Sequence, residues 1–426
     1  MALQPKPHIA DIQPGTHGGV NYCAPAGDEA IHSMRTDCRA SLAMTRHEDY
    51  CGRGGGLAMT GLNGARPKTS LRGSAEAASR RRGRQRRSNL SQSPERVLDF
   101  STCCNPYGPP PSVHGALAKA DIVLYPDPDC REFIGLLSSA IGAPQENLIA
   151  TSGSTELLRL AALAYTGPAD TVVIPSPTYG EYELACKIAN AHVVKYEMKE
   201  RAGFRLAAGA FISFARKFKP SAIFLCNPNN PTGRYLGLSD IVKIVSSFPD
   251  TLIVLDEAYV SFTADAWDSL KLLDYPNILI VRSMTKDFAL AGLRLGYGIA
   301  SREIINTLKK IRPPWNVNSA AQQAGLAALK SDGHMKKCGP LINKGKDYLI
   351  AQLESPGYKI LPTDTNFFLV RVGNAGKFQR ELLAKGFLVR DCSSFGLPAY
   401  IRIAPRRMQD CRSLIAAIKS MQSEVN

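Results

Sequence analysis

The chain has 426 residues, 52 Lys and Arg against 37 Asp and Glu, a formal net charge of +15, and 44% apolar residues. That length fills two or three domains with a sizeable core, and no run reaches the ~18 apolar residues of a membrane-spanning helix, which excludes an integral helical membrane protein. The first eight residues carry no apolar signal-peptide region, and the eleven cysteines, an odd number, include no C-x-x-C pair. Neither a secretory signal, a disulfide framework nor a metal site is expected, and a cytoplasmic setting fits.

The charge is unevenly spread. Residues 1–96 hold 15 basic against 8 acidic side chains, and much of that excess is one run, Arg80-Arg81-Arg82-Gly83-Arg84-Gln85-Arg86-Arg87. Residues 23–92 are rich in Gly, Ser, Ala and Arg without a period of 2 or 3.6, so a disordered insertion over 23–96 is expected. Blocks of like charge are usually solvated tails, and no aromatics interleave here for base stacking. A nucleic-acid contact is therefore the remote reading.

From Val97 the pattern changes. Short β-branched runs at 147–151, 171–174, 191–195, 222–226, 251–255 and 277–282 read as strands, with helical stretches at 155–165, 180–190 and 238–247. Near-continuous apolar strands alternating with helices indicate an α/β fold, a mostly parallel sheet covered on both faces. Near Gly339 a second pattern starts: a long helix, a strand over 365–371, a helix over 377–385, strands at 387–390 and 400–404, and a last helix over 407–423. This reads as a smaller α+β domain over 336–426, beside a large domain over 97–335 whose residues 97–140 contribute to the small domain or to dimer contacts.

Functional residues in such sheets gather beyond the carboxyl ends of strands. The loops there read, in order, Ser152-Gly153-Ser154-Thr155-Glu156, Ser176-Pro177-Thr178-Tyr179, Asn227-Pro228-Asn229-Asn230-Pro231-Thr232-Gly233, Asp256-Glu257-Ala258-Tyr259, Ser283-Met284-Thr285-Lys286 and Gly292-Leu293-Arg294-Leu295-Gly296-Tyr297. Taken singly they have plain explanations. Ser154-Thr155 is also a helix cap, Arg294 a surface ion-pair partner, Lys286 an exposed lysine and Tyr179 core packing. Six in this order resemble the fold-type I pyridoxal-phosphate enzymes, the class I/II aminotransferase family, over roughly residues 97–420.

The resemblance implies pyridoxal 5'-phosphate held as a Schiff base by Lys286, which also moves the proton at the substrate Cα. It implies Asp256 beside the protonated ring nitrogen, Asn230 and Tyr259 at the ring 3-oxygen, and Tyr179 against the ring face. Ser154, Thr155, Ser283, Thr285 and Arg294 would form the phosphate cup, with helix N–H groups and an arginine fork suited to an anion. On the substrate side, Arg402 matches the family arginine that grips a carboxylate or phosphate, and Arg390 a second anion-binding arginine. Asn366, following a strand start, and Tyr107, in Asn105-Pro106-Tyr107-Gly108, match substrate-side positions. Tyr125 matches a tyrosine reaching the neighbouring subunit's site, so a homodimer is implied.

Two branches of the family act on phosphate-bearing amines: L-threonine-O-3-phosphate decarboxylases and histidinol-phosphate aminotransferases. Thr16-His17-Gly18-Gly19, Arg282-Ser283-Met284-Thr285-Lys286 and Pro314-Trp315-Asn316-Val317-Asn318 tilt the expectation toward the decarboxylase. His17, in the segment 1–22, would then approach the substrate phosphate, although 82 positions separate it from Asp99. The aminotransferase, or another class I/II transaminase, is the alternative.

Overall fold

The computed structural model describes residues 3–10 and 97–423 apart from residue 332. His17 and the arginine run lie outside the described residues.

A seven-stranded sheet dominates the larger lobe. Its strands are β2 (Leu148–Thr151), β3 (Thr171–Ser176), β4 (His192–Glu197), β5 (Ala222–Cys226), β6 (Leu252–Asp256), β7 (Ile278–Ser283) and β8 (Gly296–Ala300), in the spatial order β2-β8-β7-β6-β5-β3-β4. All run parallel except β8, which is antiparallel to both neighbours. Alternate residues of one strand enter opposite cores. On β6, Ile253 and Leu255 face one cluster while Leu252 and Val254 face the other, and β7 divides its four apolar residues the same way. Burial on both faces is why these strands read as unbroken apolar runs, each such side chain contributing roughly 1.5–3 kcal/mol.

The sequence pattern missed β8. Its Gly-Tyr-Gly-Ile-Ala has no alternation, because both glycines lie where the chain crowds its neighbours. A Cβ on Gly298 would meet Leu157 at 2.6 Å.

The smaller lobe holds a four-stranded antiparallel sheet, β12-β13-β10-β9, built from β9 (Lys359–Ile360), β10 (Phe368–Arg371), β12 (Arg390–Asp391) and β13 (Tyr400–Ile403). The long helix His334–Glu354 packs against the last helix, Met408–Ser423. Strand β1 (Leu98–Asp99) pairs in parallel with β11 (Phe387–Leu388), so the chain enters the described region in this lobe. The expected strand over 365–371 begins only at Phe368. Asn366 therefore precedes the strand instead of following its start, held by its own hydrogen bond from Nδ2 to the Cys103 carbonyl at 3.1 Å.

Residues 3–10 pack on the large lobe with Leu3 and Ile9 buried. The Lys6 N–H bonds the Ala164 carbonyl at 2.9 Å and its ammonium pairs with Asp170. Among the described residues no helix is long and apolar enough to cross a membrane.

Candidate active site

Strand direction decides where the site forms. Strands β2, β3, β5, β6 and β7 all end at one sheet edge, and antiparallel β8 begins there. Gly296 opposes Thr151 of β2 on one side and Ser283 of β7 on the other. The first helix after β2, Gly153–Tyr165, opens within two residues of that edge. Its Ser154 N–H, the Ser283 and Thr285 hydroxyls and the Arg294 guanidinium are thereby collected into one cup.

The crowding at this cup is measurable. A Cβ on Gly296 would stand 2.7 Å from the Ser154 nitrogen, 2.8 Å from the Gly153 carbonyl carbon and 2.9 Å from the Arg282 oxygen. A Cβ on Gly153, itself at φ +74°, would stand 2.6 Å from Arg294 Nη2. Arg294 adopts φ +60°, a conformation uncommon outside glycine and found at functional sites. Ser283 Oγ and Thr285 Oγ1 lie 2.8 Å apart, both buried. Every group here donates or carries positive charge. The nearby carboxylate is engaged elsewhere: Glu156 Oε2 accepts from the Ser152 N–H at 2.6 Å and from Asn316 Nδ2 at 2.7 Å. The cup therefore favours an anion. Because the atoms facing Gly296 are backbone, Gly296→Ala should destabilise the protein by about 1–3 kcal/mol and weaken phosphate-ligand affinity. Thermal melting and a binding titration of the variant check both.

Asp256 ends β6 and is buried. Tyr182 donates its hydroxyl to Oδ2 at 2.8 Å, and the Ala258 N–H donates to Oδ1 at 2.9 Å. None of these partners is a cation. Burial pushes the carboxyl up to about 6, against the two hydrogen bonds, with Glu257 raising it further and Lys286 lowering it. A buried carboxylate so placed is a ready partner for a cationic ligand atom. Tyr182, absent from the residues singled out in the sequence, is fully buried, stacked on Phe224 and edge-on to Tyr179.

Lys286 follows β7 and is half-buried, its Nζ 5.9 Å from the Tyr259 ring centroid. Tyr259 is buried against Phe367, and burial raises its hydroxyl well above the ordinary range. Tyr179 is half-buried, and burial raises its hydroxyl above the ordinary range, with the nearby Thr155 of the cup opposing the rise. The loop after β5 is fixed by Asn229, whose amide bonds the Pro177 carbonyl and the Thr232 hydroxyl while Thr178 donates to its Oδ1. That frame sets the adjacent Asn230, which accepts from Arg402 Nη1.

Arg402 is buried on β13. Its Nη2 donates to the Ser101 carbonyl at 2.8 Å, its plane lies 5.2 Å from the Phe367 centroid, and its Nε has no partner. A buried, unsatisfied guanidinium N–H suits an anionic ligand. Arg390 pairs opposite Arg402 across β12 and β13, but its side chain is exposed, lying over Phe395 and bonding Ser394. Tyr107 sits beneath Arg407, 5.8 Å from its ring centroid, and packs against the cluster holding Tyr259 and Phe367. Tyr125 stands apart from these groups, 72% exposed and stacked on Trp315 at 4.5 Å. Tyr182 stood in no sequence motif, and Asn229, Glu156 and Asn105 stood in motifs without a role, because their partners are distant in the chain or belong to the backbone.

Comparison with known proteins agrees with this geometry. The family model for aminotransferase class I and II matches residues 95–418. The histidinol-phosphate aminotransferase of Moorella thermoacetica is 37% identical over 333 residues, covering 76% of this chain and 85% of its own. The crystal structure of the histidinol-phosphate aminotransferase from Clostridium acetobutylicum superposes with a TM-score of 0.71 at 26% identity, over 77% of this chain and all of that one. That of L-threonine-O-3-phosphate decarboxylase from Porphyromonas gingivalis gives 0.68 at 27% identity with the same coverage. The chain belongs to the class I and II aminotransferase family of pyridoxal-phosphate-dependent enzymes.

Proposed function

We propose that the protein is a transaminase acting on a phosphate-bearing primary amine, histidinol phosphate, with Lys286 as the residue that carries pyridoxal phosphate. The observation that carries the reading is the convergence, at one sheet edge, of the anion cup, the buried Asp256 carboxylate and Lys286. The residues present fit the cofactor. The absence of Cβ atoms at Gly153 and Gly296 lets the Ser154 N–H and the Arg294 guanidinium close on one spot, the lining donates, and neither hydrogen-bond donor to Asp256 is a cation. When bound, the cofactor supplies an electron sink conjugated to the substrate Cα.

The chain's own residues do the rest. Asp256, held by Tyr182 and the Ala258 N–H, would keep a proton on the cofactor's ring nitrogen. Asn230 and Tyr259 would donate toward the ring 3-oxygen, and Tyr179 would cover one ring face. Lys286 would serve as the base that takes the substrate Cα proton and delivers it on the far side of the amine nitrogen, two atoms away. Arg402 receives the phosphate of the amine donor in one half-reaction and a carboxylate of the 2-oxo acid in the other, with Arg390 opposite as a second cation. A homodimer fits the exposed apolar run Ile122, Val123, Leu124 and Tyr125, between 60% and 88% exposed, which a second copy would cover.

The curated relatives favour this reading over decarboxylation, which the short motifs at His17, Lys286 and Trp315 had placed first. The decarboxylase reading keeps one specific support, the likeness to the Porphyromonas gingivalis decarboxylase. A paired steady-state assay separates them. Histidinol phosphate with 2-oxoglutarate should turn over and yield glutamate. Release of CO₂ from L-threonine phosphate, with histidinol phosphate inert, would establish the second reading instead.

A further inference from the structure

Alternate residues of one short segment reach three functional groups. The Ser101 carbonyl accepts from Arg402 Nη2 at 2.8 Å, and the Cys103 carbonyl accepts from Asn366 Nδ2 at 3.1 Å. Two residues on, the Asn105 N–H donates to the Lys286 carbonyl at 2.8 Å and Asn105 Nδ2 donates to the Asp287 carbonyl at 3.1 Å. The start of this segment belongs to the smaller lobe, where the Phe100 N–H bonds the Leu388 carbonyl and the Ala404 N–H bonds the Phe100 carbonyl. Its end grips the large-lobe loop that carries the lysine.

Asn105 is 3% exposed, and its amide orientation follows from its contacts: Oδ1 accepts from the Tyr107 N–H at 3.0 Å, so Nδ2 must face the Asp287 carbonyl. One residue thus holds both carbonyls of the Lys286–Asp287 dipeptide. The flanks of that dipeptide are pinned as well. Thr285 bonds Ser283 on one side, and the Asp287 carboxylate accepts from Ser261 Oγ at 2.8 Å and from the Phe288 N–H. The Asn105 backbone N–H thus holds the lysine's carbonyl and its side chain holds the next one, which ties the height of the lysine peptide to this segment.

We propose that Asn105 is the positioning residue for Lys286: it fixes the lysine backbone relative to Arg402, so that the amine lies in register with a substrate whose anion Arg402 holds. The proposal rests on Lys286 being the cofactor lysine. Asn105 touches neither substrate nor cofactor on this account, and it acts through the Lys286 and Asp287 carbonyls. A displacement near 1 Å at a reacting group costs up to about 10²-fold in rate.

The test compares wild type, Asn105→Ala, Asn105→Asp and Lys286→Ala. Apoprotein is mixed with pyridoxal phosphate. Non-covalent occupancy is read by dialysis. The rate of covalent attachment, in which the lysine amine condenses with the aldehyde and water leaves, is read by borohydride trapping and intact mass. Asn105→Ala should attach roughly 10- to 100-fold more slowly at near wild-type occupancy. The backbone N–H holds the Lys286 carbonyl in every variant, and an aspartate side chain at this position faces the Asp287 carbonyl oxygen, so it repels that oxygen when ionised and donates an O–H when protonated. The rate of Asn105→Asp relative to wild type should therefore rise as pH falls from 8 to 6, while that of Asn105→Ala stays flat. The titratable groups around the position are Cys104 and Tyr107 on its own segment, Lys286 and Asp287 on the lysine loop, and His334 and Cys338 on the long helix, with His334 Nε2 3.2 Å from Nδ2. His334 faces the substituted amide and its titration does not cancel, so the ratio is taken between chains that all carry His334→Gln. If Asn105→Ala does not fold, the pH dependence of Asn105→Asp decides alone. Attachment at the wild-type rate in Asn105→Ala, or a pH-independent ratio for Asn105→Asp, overturns the proposal. Absence of attachment in wild type, or equal attachment in Lys286→Ala, overturns the lysine assignment and the proposal with it.

Discussion

Lys286→Ala should leave the fold and the phosphate cup intact and reduce turnover by roughly 10⁴-fold or more, because it removes both the covalent anchor and the base at Cα. The side chain is half-buried with its ammonium over the Tyr259 ring, and its loss opens no large cavity. Melting temperature should therefore change little. Cofactor should still bind through the cup and Asp256, but every bound molecule should leave on dialysis. A variant that turns over at a tenth of the wild-type rate would contradict the assignment.

Asp256→Asn should have the second-largest effect, with opposite signs for activity and stability. Loss of the buried negative charge removes the partner of the ring nitrogen and should lower turnover on the order of 10² to 10³ fold. Stability follows from the raised carboxyl. Burial pushes Asp256 up to about 6 from the ordinary aspartate value of 3.8. A group whose folded pKa is raised contributes stability that is present below the unfolded pKa and lost as pH rises through the folded one. Between about pH 4 and pH 6 the apoprotein therefore loses about 3 kcal/mol at this residue, and it stays without it above that window. Asparagine carries no charge to desolvate, and the Tyr182 hydroxyl can turn to accept from its amide. Melted without cofactor, Asp256→Asn should match wild type near pH 4 and exceed it at pH 8. Adding pyridoxal phosphate at pH 8 should stabilise wild type more than the variant. A variant less stable than wild type at pH 8 would mean that the carboxylate is not under strain.

The fold was legible where a strand is buried on both faces, since Leu252–Asp256 and Ile278–Ser283 then carry an unbroken apolar run followed at once by a functional loop. Strand β8 was not, because two of its five residues are glycines chosen by close approach. In the candidate site, the residues that stand at or beyond the one sheet edge were legible by type and order: Ser154, Asp256, Lys286, Arg294. Tyr182 lies 74 positions from the carboxylate it holds, and Asn105 lies 182 from the carbonyl it grips. Such pairs exist only once the sheet has formed. The choice between transamination and decarboxylation was illegible for another reason. It turns on which bond at Cα is held perpendicular to the cofactor plane, and a tenfold preference needs only ~1.4 kcal/mol. Short motifs at His17, Lys286 and Trp315 pointed one way, while likeness across more than 300 residues points the other.

The most direct measurement is peptide mapping of the holoenzyme after borohydride reduction. The account predicts one reduced pyridoxyl group per chain, on the peptide containing Lys286 and on no other lysine. A label on a different lysine, or a cofactor that is never fixed to the protein, would contradict it.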